Sequence, residues 1–491
     1  MTTRVAFCKD ISFQLGSGAR LRHCLALMEL SRVTHPAPNP PWRIRKLLPQ
    51  LAAQFLLTVL PLAAANQSGP LAVFDFEADD ADAEWAVLGP VTVSHAEVAA
   101  LDGTPIEGVG GRCLKLKTEG GGMAYCLPGK VPGDWSAHGA IRLFLHRGAD
   151  QQDKRLVIDV MATDDDGKGQ LWRRLDLDFT GWARVDMPLR YFGPGDGRLI
   201  RWNEVRRLGV RFGGPSEVSI DSVALLPAGE GLGNRVTTDE LSRFAFGKPA
   251  AETTVGTGRF VVLSDVKDVA FAPLEQDLGE VLRLLHSWLP MEECAADPPT
   301  LLVFANEAEY RAFPPRYAAA IKREIGPPQS CGFTIDGISA GFWDSAQGLQ
   351  RPTFLHEFAH SAIEKQLRLP NRSEWFQEAL ANLIQTRFRP QPGLAEQITT
   401  AITNPAYQIP LRQLCNGQPV PLAHYWQTFT LMDLLLTDPA LRPRLPDLVA
   451  AFRKAGSTDL APHLGPVLGT DWQQLETRWK AFCLGRYAKR N

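Results

Sequence analysis

The sequence has no surplus of basic charge: 52 lysines and arginines face 54 aspartates and glutamates, a formal net charge of −2. Nothing in that balance favours a polyanionic partner, so nucleic acid is not expected to bind. There is no solenoid-type internal repeat and no low-complexity tract, which excludes a stacked-repeat architecture. No two cysteines stand in the C-x-x-C spacing of a zinc knuckle. An uninterrupted membrane span is also lacking: the apolar run from Leu47 to Leu62 is broken by Pro49, Gln50, Gln54 and Pro61 and is short for a spanning helix. Histidine is scarce, ten in 491 residues, so two of them at helical spacing stand out.

Length and a 45% hydrophobic content point to more than one packed core. Residues 1–41 are irregular and proline-bearing (Pro36, Pro38, Pro40, Pro41) and read as lying upstream of the true start, with Met28 or a later codon as the beginning. Residues 42–65 read as a secretory signal: Arg43, Arg45 and Lys46, then the apolar run, then Ala63-Ala64-Ala65 as the cleavage site. A secreted or periplasmic protein is therefore expected, with a membrane anchor as the competing reading and no stable span after signal removal. Six cysteines follow Ala65, enough for up to three disulfides. Cys113 and Cys126 flank an alternating stretch broken by Gly120-Gly121-Gly122, which reads as a hairpin bringing the two together, with free thiols as the alternative.

From 69 to 226 the texture is all-β: short alternating segments such as Leu156-Val157-Ile158-Asp159-Val160 are separated by Gly, Pro and Asp clusters, which indicates a β-sandwich. Asp164-Asp165-Asp166-Gly167 reads as a solvated turn. Residues 227–257 read as a linker with a short helix at Thr238 to Phe246. The region 258–491 opens with a strand at Arg259 to Asp265, a helix near Pro273 to Leu289 and a strand at Leu301 to Phe304. After Glu378 it is mostly helical.

His356-Glu357-Phe358-Ala359-His360 places two imidazoles four apart, on one face of a helix, where both can reach one divalent ion. Phe354, Leu355, Phe358, Ala359, Ala362 and Ile363 make that helix apolar, so its polar groups need partners. Pro352 suits its start and Leu369-Pro370-Asn371 its stop. Glu357 stands next to the first ligand, close enough to take a proton from water. A catalytic zinc needs a third protein ligand and an open fourth position. Glu378, in a second helix after Ser373, is the candidate third ligand. Asn382, one turn beyond it, is a candidate to accept the Nδ1–H of a ligand histidine and fix its tautomer, or else an ordinary helix asparagine.

The run from about Arg259 to Cys483 resembles the gluzincin metallopeptidases, in particular the peptidase MA-like group with His-Glu-x-x-His followed by Trp-x-x-Glu-Gly-x-Ala. This chain has Trp375-Phe376-Gln377-Glu378-Ala379-Leu380-Ala381, with alanine in place of the glycine. The resemblance implies an α+β zincin-like domain holding one catalytic Zn²⁺ through His356, His360 and Glu378, with Glu357 as general base in peptide-bond hydrolysis. It further implies Tyr425, at the head of an apolar helix, as the donor to the oxyanion, with His424 as runner-up. An edge strand above the metal would bind the substrate backbone, and Gly337 to Asp344, centred on Ala340, Gly341 and Phe342, is the segment expected to do so, with an ordinary core strand as the alternative.

The all-β part resembles galactose-binding-like jelly rolls of the carbohydrate-binding-module type, on Val73-Phe74-Asp75-Phe76-Glu77, Thr180 to Leu189 and Ile220-Asp221-Ser222-Val223. That resemblance implies a structural Ca²⁺ near Glu77 and Asp221. It also makes Trp85, Trp135, Trp172 and Trp202 candidates for sugar stacking, with core packing as the alternative, and glycoproteins candidate substrates. The expected fold is thus multidomain, an all-β jelly-roll sandwich followed by a zincin-like metallopeptidase domain with a helical C-terminal part. Its expected partner is a protein or peptide substrate. Two other classes stay open: a non-catalytic glycan- or protein-binding protein whose peptidase-like domain is a scaffold, and a metal-dependent hydrolase of other bonds.

Overall fold

The computed structural model describes residues 69–488, apart from 152–154 and 230–231. The 1–41 extension and the 42–65 export signal lie outside the described residues. Among the described residues no helix is long and apolar enough to cross a membrane.

Between Leu71 and Pro227 the chain forms two six-stranded antiparallel sheets stacked as a sandwich. One sheet runs in the order Val91–Glu97, Arg112–Thr118, Ser216–Pro227, His138–Arg147, Gly181–Pro188, with Leu71–Phe74 also paired to Ser216–Pro227. The other runs Gly193–Pro194, Gln170–Leu177, Leu156–Thr163, Arg207–Phe212, Gly122–Cys126, Trp85–Leu88. Period-two alternation sets the inner face. Leu156, Ile158, Val160 and Ala162 meet Leu208, Val210 and Phe212 of the neighbouring strand, and Leu116, Leu145, Val218 and Ile220 close the core from the opposite sheet. Each such fully buried aliphatic side chain contributes roughly 1.5–3 kcal/mol. A register shift between Ile220 and Val223 makes a bulge that contains Asp221 and Ser222.

One reading of the sandwich, the glycine hairpin, differs from expectation, and two that were open are decided. Cys113 and Cys126 do not face each other, and all six described cysteines are free thiols. Gly120-Gly121-Gly122 does not turn a hairpin: Arg112–Thr118 belongs to one sheet and Gly122–Cys126 to the other, so the glycines carry the chain across the sandwich. Of the four tryptophans, Trp85, Trp135 and Trp202 are core residues, Trp135 stacked on Trp202 at 6.0 Å. Only Trp172 stays out of the core, with the guanidinium groups of Arg174 and Arg211 over its ring. Glu77 and Asp221 act as backbone acceptors for one segment: Asp221 takes the Gly110 N–H at 3.0 Å and Glu77 that of Arg112 at 3.3 Å.

The segment expected as a linker carries the helix Thr238–Phe246, closed by a Thr237/Glu240 capping box, and the strand Thr254–Gly256. That strand starts a five-stranded sheet ordered Thr254–Gly256, Val261–Ser264, Thr300–Phe304, Ile338–Phe342, Gly332–Ile335. The three middle strands are parallel and the two outer ones antiparallel to them. Ile338–Phe342 is hydrogen-bonded on both sides and is therefore not an edge. The edge on this side is Gly332–Ile335. No strand follows Phe342 among the described residues; the chain continues through helices from Pro352–Ala362 to Trp472–Tyr487.

The helix Pro352–Ala362 runs on into a π turn, Ile363–Leu367, that buries Glu364 beside an ionic network. There Arg323 bridges Asp336 at 2.7 Å and the Tyr317 hydroxyl donates to Asp336 at 3.2 Å. Burial first, and Asp336 second, push the Glu364 carboxyl up to about 8, against Lys365 and the N–H groups of Gly337 and Asn371. The folded state thus holds a proton that the unfolded chain releases above 4.5. Stability from this group is complete below that value and falls as pH rises toward 8. In metal-free protein, Glu364→Gln is expected to remove a slope of about 1.4 kcal/mol per pH unit across this window. Urea denaturation at intervals from pH 5 to pH 8 reads it, and a variant with the parent's slope would place the proton elsewhere.

Candidate metal centre

Every residue from Thr353 to Ala362 is buried, so the histidine helix Pro352–Ala362 turns both imidazoles into the interior rather than to water. Helical spacing brings His356 Nε2 and His360 Nε2 to 3.2 Å. The glutamate helix Trp375–Phe388 lies against it and supplies Glu378, whose oxygens stand 3.5 Å from His356 Nε2 and 3.7 Å from His360 Nε2. One donor atom from each of the three side chains falls within 4.8 Å of the others, the only such group of three among the described residues.

The donor set fits a divalent ion. Glu378 is 1% exposed, and neither carboxylate oxygen has a well-formed hydrogen bond. Burial opposes its ionisation, but His360, His356 and the Tyr425 hydroxyl together hold its pKa below the ordinary carboxylate value. Burial pulls His360 down to about 4, which favours the neutral imidazole a metal requires. For His356 burial acts the same way, yet Glu378, Glu357 and Gln385 together outweigh it and raise the pKa. Two imidazoles and a carboxylate converging on one point leave a fourth tetrahedral position open.

A residue that sequence reading passed over orients the site. Gln377 Nε2 donates to the Leu369 carbonyl at 2.8 Å, so its Oε1 is the acceptor facing His360 Nδ1 at 3.1 Å. His360 therefore carries its proton on Nδ1 and presents the Nε2 lone pair inward. Asn382 is not bonded to either ring: its amide donates back to the Glu378 carbonyl one turn earlier, at 2.7 Å, and its Oδ1 has no hydrogen-bond partner. The signal for Gln377 was available, since it is the one amide among Trp375, Phe376, Ala379, Leu380 and Ala381.

Glu357 is bonded to the edge strand. Thr334 donates to its Oε2 at 2.9 Å and also lies 3.1 Å from its main-chain carbonyl. Burial lifts the Glu357 carboxyl to about 7, while the His356 charge and the Thr334 bond oppose the rise. Gly332 lets the strand come this close: a Cβ there would stand 2.6 Å from Glu357 Cγ and 2.8 Å from its Oε1. Tyr425, first residue of the helix Tyr425–Thr437, is buried with its hydroxyl against Glu378. His424 is engaged with Gln427 at 3.0 Å. Ala340 and Gly341 are buried and paired to strands on both sides, while Phe342 pairs with Phe304 alone and its carbonyl accepts from the Arg351 guanidinium at 3.0 Å.

No protein-family model matches this chain, and no curated protein matches it. Solved structures do. The family 11 carbohydrate-binding module of the cellulosomal cellulase Lic26A-Cel5E of Clostridium thermocellum is similar at 13% identity, over 33% of this chain and 95% of that one, with a TM-score of 0.25. The C-terminal family 22 carbohydrate-binding module of Clostridium thermocellum Xyn10B is similar at 13% identity, over 33% and 92%, with a TM-score of 0.21. An exo-β-agarase is similar at 16% identity, over 32% of this chain and 26% of its own, with a TM-score of 0.25.

Removing the amide that fixes His360 has a measurable consequence. Gln377→Ala is expected to weaken zinc binding by about 10- to 100-fold relative to the parent. Competition with a chromophoric chelator gives both constants, and parent affinity in the alanine variant would deny Gln377 its orienting role.

Proposed function

We propose that this chain is a zinc-dependent peptidase of the gluzincin type, built on a zincin-like domain, that cleaves proteins or peptides outside the cytoplasm. The observation that carries the reading is a buried His356–His360–Glu378 set with a further buried carboxylate, Glu357, next to it and outside it. A structural metal has no use for that fourth acid. Supporting it are the His-Glu-x-x-His motif and the tryptophan, glutamate and alanine of the second helix. The extracellular location rests on the basic, apolar and small-residue order of 42–65.

Zinc held by His356, His360 and Glu378 would supply Lewis acidity, lowering the pKa of a water and polarising the scissile carbonyl. The rest of the chemistry belongs to side chains of this chain. Glu357 takes the proton from the attacking water on the oxygen that Thr334 leaves free, and returns it to the departing amine nitrogen. Thr334 holds the other oxygen, so the base keeps one orientation through both transfers. Tyr425, already at the ligand set, is the hydroxyl placed to donate to the developing oxyanion. Gly332–Ile335 pairs on one side only, and its outer edge offers main-chain N–H and C=O groups to an extended substrate. Pairing of that kind reads backbone rather than side chains, which suits protein substrates.

The deciding comparison is zinc content together with casein and peptide-library cleavage for the parent chain and Glu357→Gln. One zinc per chain in both, with cleavage in the glutamine variant reduced by about 10²-fold or more, is the expected result. Cleavage at the parent's rate in the variant removes Glu357 as the base. A parent chain without zinc removes the metal centre altogether.

A further inference from the structure

The histidine and glutamate helices are joined by one short connection, 368–374, and that connection is bonded to the sandwich. Arg368 closes the π turn in the left-handed conformation at φ 58°, and Ser373 enters the glutamate helix at φ 57°. Neither is glycine, so the surroundings must hold both in place. For Arg368 the holding groups come from the sandwich loop before Arg207–Phe212. Its guanidinium takes both oxygens of Glu204, one of them at 2.9 Å, and donates to the Leu199 carbonyl at 2.9 Å. Glu204 is itself fixed by the Arg201 N–H at 2.8 Å. Arg372, in the same connection, donates to the Gly197 carbonyl at 2.8 Å and the Gly456 carbonyl at 3.3 Å.

The residue after Arg368 is Leu369, whose carbonyl receives the Gln377 amide, and Gln377 in turn receives His360 Nδ1–H. A continuous series of bonded groups therefore runs from a carboxylate of the sandwich to a ligand imidazole. Its only covalent step is the single peptide link between Arg368 and Leu369.

We propose that the sandwich is a positioning element of the metal centre: Glu204 sets Arg368, Arg368 sets the Leu369 carbonyl, and Gln377 passes that orientation to His360. This rests on the reading of His356, His360 and Glu378 as a metal site. A two-pronged bond suits the task, because a guanidinium held at both prongs fixes direction as well as distance. Displacing the 197–204 loop would then lower metal affinity without touching any group within reach of the ion.

The test is zinc affinity by chelator competition, on the full chain, for the parent, Glu204→Gln, Gln377→Ala and the double variant. Far-UV circular dichroism checks the fold, and the visible spectrum after cobalt loading reports ligand geometry. Glu204→Gln is expected to bind zinc about tenfold more weakly, with an altered cobalt spectrum. Arg368→Lys, which keeps the charge and loses the fork, is expected to show the same loss. In the double variant the affinity should equal that of Gln377→Ala alone, because both changes break one series. Parent affinity and spectrum in Glu204→Gln overturn the proposal, as do losses that multiply in the double variant. A parent chain that takes up no zinc overturns the metal centre, and the proposal with it, which is a distinct outcome.

Discussion

A carboxylate buried among apolar side chains, with neither oxygen in a well-formed hydrogen bond, has to be balanced by positive charge, and Glu378 is in that position. An isolated ion in such surroundings would cost several kcal/mol even after relaxation. The two imidazoles beside it answer the demand in part, since one is pushed toward protonation and the other away from it. A divalent cation answers it in full while leaving both rings neutral. Much of the surrounding architecture follows from that constraint. The histidine helix is buried on all sides, the glutamate helix packs against it, and a tyrosine hydroxyl and a glutamine amide stand beside the three side chains.

The same constraint explains the contrast between the two acids of the pair. Glu378 is held ionised by its neighbours, whereas Glu357 is lifted to about 7 by burial and tethered to Thr334. Environments that push two carboxyls apart in this way suit them to different roles, which under the proposed function are ligand and proton carrier. The separation depends on how near the strand Gly332–Ile335 lies to the helix, and therefore on a position without a side chain.

What was legible in the sequence is what short-range periodicity encodes. Two histidines four apart share a helix face whatever the tertiary fold, and the alternation of Leu156 to Ala162 fixes an inner face without knowledge of its partner strands. What was missed depends on pairing partners. Ala340, Gly341 and Phe342 are apolar enough for an inner strand, yet nothing local says which of two adjacent strands is outermost. The clue was Asp336-Gly337, both at positive φ, a two-residue turn that joins Gly332–Ile335 to Ile338–Phe342. Cys113 and Cys126 failed for a similar reason: a glycine run can close a hairpin or cross between sheets, and the choice is made by strands nearly a hundred residues away. Trp85, Trp135 and Trp202 show that aromatic content alone does not separate a core from a binding platform.

Order of synthesis gives the bond between Glu204 and Arg368 one more meaning. The two residues are 164 positions apart, and the sandwich core is assembled entirely from residues between Phe74 and Leu225. At roughly 5–20 residues per second, every residue of the sandwich is made some seconds to half a minute before the histidine helix. Glu204 is then a finished docking point waiting for a segment not yet made. The chain that follows then has a partner for Arg368, held in the left-handed region, as the histidine and glutamate helices come together.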